Sequence, residues 1–332
     1  MTGGWFWLPA LSVAVALPLI TGDTYFLGVC VVFAIYASIN LMWTLVIGTA
    51  GLLSFATLAI VGGSAYFAGY QAKVHHLSWP IMLVIAAGAG AVAGLVVAAP
   101  AIRLRSVYFA LLTLGLVQLA DSYVEQNRAL GGAQGLVGVP GFIPVKDFGT
   151  ARGAAIGYYA GIALLGLCLS VFWAVDRRRL GLVLRTARDS EPIAGALGID
   201  IVRVRLTVFV ASSAMLGLVG GFYAAYYANV SPGIFSFDTL LLLLAMMVIG
   251  GLSSARGVVL GTALLLFIDQ RFLNTGPWRL IAVGIVMLLI TLFAADGLVG
   301  IPGQLRTWWA TVTLKQHGAS ELTDAMSRGD AA

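Results

Sequence analysis

Asp176-Arg177-Arg178-Arg179-Leu180-Gly181-Leu182-Val183-Leu184-Arg185-Thr186-Ala187-Arg188-Asp189-Ser190-Glu191-Pro192-Ile193-Ala194-Gly195-Ala196-Leu197-Gly198-Ile199-Asp200-Ile201-Val202-Arg203-Val204-Arg205 is the stretch whose reading settles how the chain is arranged. It sets seven arginines between two long apolar runs. Basic residues concentrate in the cytoplasmic loops of membrane proteins, so the stretch is expected inside, and that placement orients every other segment. Asp189-Ser190 can cap a helix N-terminus, Glu191 suits the positive end of its dipole, and Pro192 is tolerated in a first turn. Gly198 offers a stop. The expectation is a helix from Glu191 to Leu197, about 10 Å long at the standard rise. So short a helix is marginal in water and needs a surface to pack on. Composition alone leaves open whether it docks on a partner or is a solvated basic loop that sets topology.

Outward from this stretch the chain is overwhelmingly apolar. Of 332 residues, 60% are hydrophobic and 10% charged, and the mean hydropathy is +0.97. Such a composition excludes a soluble domain and predicts an all-α polytopic transmembrane bundle. Apolar runs fall at about Trp5–Ile20, Tyr25–Ile47, Leu52–Tyr70, Trp79–Ala99, Val107–Val124, Ala154–Val175, Leu206–Ala228, Leu240–Ile249, Val258–Ile268 and Trp278–Phe293. They amount to about eight to ten membrane segments. The two runs flanking Gly250-Gly251 are too short to span alone, so they form either a hairpin or one span with its helix broken. Trp5–Ile20 lacks a basic region before it and is read as a retained helix. The net charge of +5 could suggest nucleic acid, but thirteen of the nineteen basic residues fall in inner loops, seven of them in the quoted stretch. Topology explains the charge, with no nucleic acid and both termini cytoplasmic. The permease-like membrane portion is taken as 1–303, with 304–332 as a flexible cytoplasmic tail. Cys30 and Cys168 lie in separate runs at different depths and are read as packing residues.

The chemistry of an enzyme is missing. An ATP-binding loop needs a lysine after glycine, and Lys73, Lys146 and Lys315 follow other residues. His75, His76 and His317 fall outside the apolar runs, so neither a metal nor another cofactor is expected. Asp269 and Asp296 sit near run ends, so the mid-membrane carboxylate of many ion-coupled carriers is not evident. Asn40 and Thr44 stand one turn apart on the second run, and Thr113 and Gln118 share the fifth. With Ser54 they are the candidates for lining a solute path. Bonds that merely fasten helices together are the competing reading.

The stretch Leu184 to Asp200 resembles the G-R-x-L-R-A-x-R-x-x-E-x-A-A-x-x-L-G-I loop of the permease subunits of branched-chain amino-acid ATP-binding-cassette importers. Arg103-Leu104-Arg105-Ser106-Val107-Tyr108-Phe109-Ala110-Leu111-Leu112-Thr113-Leu114 is similar to that family's R-L-R-G-x-Y-F-A-L-x-T-L. Leu130 to Pro140, Gly48 to Phe55, Gly62 to Tyr66, Gly217 to Tyr223, Val230-Ser231-Pro232, Val248 to Ser254 and Gly257 to Gly261 follow the family in order and spacing. Each glycine-rich piece is common wherever membrane helices pack. Their shared order, from about residue 38 to 300, is what is specific. The chain departs from the pattern at Leu182, Gly195, Ala56, Thr57 and Ser64.

The resemblance implies a non-catalytic permease subunit in the bacterial inner membrane, moving solute by alternating access. Its implied partners are a second permease in a heterodimer, two cytoplasmic ATP-binding subunits and a periplasmic solute-binding protein. Coupling to the ATPases would fall to Arg185, Arg188, Glu191, Ala194, Leu197 and Gly198. Gly132, Gln134 and Gly135 would be outer contacts for the binding protein. The solute would be a branched-chain amino acid, or within the same family urea or a short-chain amide. An ion-coupled secondary transporter is the alternative.

Overall fold

The computed structural model describes residues 23–101, 104, 106–143, 149–196, 198–252 and 254–271, with 281, 284, 285, 287 and 288. The first run, nearly all of Trp278–Phe293, the tail and both termini lie outside the described residues. Asp23 opens α1 (Thr24–Thr44) by accepting from Tyr25 N at 3.0 Å, which serves one of the donors a helix start leaves free. A π-helical turn follows at Leu45–Thr49. Then come α2 (Thr57–Val74), α3 (Trp79–Ala101), α4 (Ser106–Gln126), α5 (Ala151–Asp176), α6 (Arg179–Asp189), α7 (Glu191–Ala196), α8 (Ile201–Tyr227), α9 (Phe237–Gly250) and α10 (Ala255–Arg271).

Thr24–Thr49, Trp79–Pro100, Val107–Gln126, Ala151–Asp176 and Ile201–Tyr227 are each long and apolar enough to cross a bilayer. With α2, α9 and α10 they form an all-α polytopic bundle. The bundle has a centre and a margin: the apolar windows of α1 and α8 are 72% and 67% buried, those of α3 and α4 only 33% and 28%. The margin is therefore left for lipid or another membrane chain.

Backbones meet closely at the centre because the residues there are small. Gly90 and Gly94 of α3 face Gly217 and Ser213 of α8, and a Cβ on Gly90 would stand 2.3 Å from Ser213 O. This is how membrane helices pack without hydrophobic drive between them. The segments flanking Gly250-Gly251 resolve as an antiparallel hairpin rather than one broken span. Gly250 meets Gly257, and Gly261 meets Met246. At the hairpin's open end Tyr25 Oη donates to Gln270 Oε1 at 3.3 Å. Its tip reaches Gly48, at the far end of α1.

One two-residue ribbon joins loops on the side away from the arginines: Leu136 pairs with Val230 and Val137 with Asn229, antiparallel. The third apolar run needs correction. Its helix starts at Thr57, not Leu52, because Gly51 adopts φ +70° and residues 51–55 leave the helix.

Candidate functional site

The quoted basic stretch folds as an arm of two helices. α7 covers Glu191–Ala196, and Gly198 ends it at φ +73° with its amide on Gly195 O at 3.0 Å. Ala194 is buried, whereas the Glu191 side chain and Leu197 lie outside the described residues. Ser190 is the extended link between the two helices rather than a free cap. Sequence reading missed α6, whose buried face is Gly181, Leu184 and Ala187. Their spacing of three is the amphipathic signal that marks it.

Arg185 of α6 pairs with Asp176 at the end of α5. Arg188 turns inward: its Nη1 donates to Gly48 O, while its Nε holds Asp189 at 3.2 Å. Arg205 of α8 adds Nε to Ala50 O at 3.2 Å and Nη2 to Ala187 O at 3.4 Å. Both acceptors lie where the α1 helix gives way, so they have lost the donors that a continuing helix would supply. Gly51 makes room for the arrangement. A Cβ there would be 2.7 Å from Arg188 Cγ.

The interrupted segment is tied from the other side as well. Trp43 Nε1 donates to Ser54 O at 2.7 Å, and Ala56 N donates to Ser54 Oγ at 3.3 Å. Thr113 Oγ1 accepts from Phe55 N and donates to Ala110 O, both at 2.9 Å. Ser54 and Thr113 thus hold irregular backbone inside the bundle, where unpaired amides are costly. Gln118, on the same helix as Thr113, is exposed on the bundle's surface.

Asn40 Nδ2 donates to Thr262 Oγ1 of the hairpin at 3.1 Å. Asn40 Oδ1 and Thr44 Oγ1 are fully buried without a protein partner. Buried polar atoms of that kind are uncommon and call for a reason. Above them, toward the ribbon, lies a cavity of about 170 Å³. Ile39, Leu58 and Leu243 are its buried inner wall, and Ser231 and Thr239 stand at its more open rim. On the same side of the bundle, Gln134 is exposed, Gly132 is half-buried, and Gly135 is buried with its Cβ position 2.3 Å from Val230 O. Gly135 therefore shapes the turn on which Gln134 stands.

Residues 25–295 match the family described as branched-chain amino acid transport system / permease component. The chain belongs to that family. It is 26% identical over 316 residues to the high-affinity branched-chain amino acid transport system permease protein LivM of Salmonella typhimurium, covering 88% of this chain and 74% of that protein. The LivM protein of Escherichia coli is 26% identical over 287 residues, covering 80% of this chain and 67% of the relative. No solved structure matches. The family match and the long apolar helices make this a multi-pass membrane protein of the permease type.

Proposed function

We propose that the chain is the membrane-spanning permease subunit of an ATP-binding-cassette importer for branched-chain amino acids or related small solutes. In this reading it sits in a bacterial inner membrane beside a second permease. Two cytoplasmic ATP-binding subunits engage the arm, and a periplasmic binding protein delivers solute near Gln134. The chain itself catalyses no reaction. One observation carries the reading beyond family membership: the arm of α6 and α7 is packed, through Arg188, on the interruption in α1. A movement imposed on the arm has a direct route to backbone inside the bundle. Such a movement can shift the balance between two access states only by favouring one of them.

Proteoliposomes holding the two permeases and the ATP-binding subunits should take up labelled leucine from the binding protein only when ATP is supplied. Replacing Glu191 by lysine and Leu197 by aspartate should abolish uptake and reduce recovery of the ATP-binding subunits. The lysine opposes the dipole at the start of α7, a term of about 0.3–1 kcal/mol. An aspartate forced into a dry contact costs several kcal/mol more. Equal uptake and equal recovery would reduce the arm to a topology-setting loop.

A further inference from the structure

We propose that the contact between Gly48 and Leu252 is the inner closure of a solute path lying within this single chain, and that Arg188 is the latch holding it shut. The proposal rests on the importer reading above and names the moving part. Tyr36, Asn40, Thr44 and Gly48 recur every fourth residue, so they share one face of α1 and its π-helical continuation. Each position on that face meets something different. Tyr36 lines the outer cavity. Asn40 reaches Thr262 of the hairpin and keeps one oxygen unpartnered, as Thr44 does one turn further in. Gly48 meets the hairpin tip, where an added Cβ would lie 1.8 Å from Leu252 O.

The order along the face is cavity, polar layer, closure. The unpartnered oxygens stand immediately behind the closure, where a path that opens would expose them to water or solute. That accounts for polar groups the closed bundle leaves unsatisfied. On the opposite side of the closure Arg188 donates to Gly48 O, and Arg205 to Ala50 O. Arg188 sits on α6, so displacing the arm withdraws it. Gly48 is then free to part from Leu252.

The test places a cysteine at Thr44, with Cys30 and Cys168 replaced by alanine, and applies a small cationic thiol reagent to inside-out vesicles. Thr44→Cys alone should label slowly. Adding Arg188→Ala should speed labelling at least tenfold, with Arg188→Lys between the two. Gly48→Ala should act alike with Arg188 in place, because its methyl group forces the turn off Leu252. Gly28→Ala, which has nothing within 4 Å of the added methyl, should change nothing. Labelling that stays slow in both Arg188→Ala and Gly48→Ala overturns the closure, and so does labelling that rises equally in Gly28→Ala. Loss of the ATP-binding subunits from Arg188→Ala with Thr44→Cys still shielded would make Arg188 a docking contact and overturn the latch. Leucine uptake by the unaltered assembly without ATP would sink the importer reading, and the labelling ratios would still decide the closure.

Discussion

The Arg188 guanidinium and the Gly48 carbonyl, 140 residues apart in sequence, are joined by a hydrogen bond between the arm and the end of α1. Gly51 is the residue that lets them meet, since the Arg188 stem lies across its α-carbon.

Gly51→Ala should therefore weaken the protein by two routes. The φ of +70° is left-handed, which costs an L-residue about 1–2 kcal/mol. The new methyl also pushes the Arg188 stem away. Thermal unfolding in detergent should shift downward by several degrees and ATP-dependent uptake should fall. An unchanged melting curve would refute the account of Gly51.

Thr113→Val keeps the shape of the side chain but removes the acceptor for Phe55 N. A buried donor left alone costs about 1–3 kcal/mol, so Thr113→Val should lower stability and Thr113→Ser should restore most of it. Equal stability of the two variants would show that Phe55 N finds another partner.

Orientation is testable without transport. A cysteine at Ser190 should be shielded from impermeant thiol reagents outside intact cells, and one at Gln134 should be labelled. The reverse pattern would invert the bundle and remove the arm from the ATP-binding subunits.

Gly195 lies exposed on α7 with nothing within 4 Å of an added methyl. Gly195→Ala should stabilise that short helix by up to about 1 kcal/mol, visible as slower amide exchange over 191–196. Faster exchange would mean that the position needs glycine for some other reason.

Sequence carried the membrane architecture well because long apolar runs are a compositional property, and Tyr25–Ile47, Trp79–Ala99 and Leu206–Ala228 lie close to α1, α3 and α8. The interruption at residues 51–55 was hidden inside an evenly apolar run, where only the backbone angle of Gly51 distinguishes a turn from a helix. Arg188 was read by its neighbours as facing a partner. Its Gly48 contact depends on how α1 and the arm come together, which no local pattern encodes. Thr113 and Gln118 looked equivalent in sequence, yet five residues place one in the interior and the other on the surface. Leu252 and Thr262 had no polar or charge signal to single them out, and only the hairpin's packing on α1 gives them a place.

The ribbon at the far side of the bundle bears on how the molecule yields to force. There Leu136 and Val230 pair through their backbones, Gly138 N and Val139 N both donate to Ala228 O, and Lys73 Nζ donates to Val137 O at 2.8 Å. Leu136 and Val230 are buried, so water does not compete for that seam. The arginine end is fastened instead by flexible side chains reaching single carbonyls. A pull on the arm thus meets a compliant end and a stiff one, and the protein behaves as tongs whose fulcrum lies on the far face.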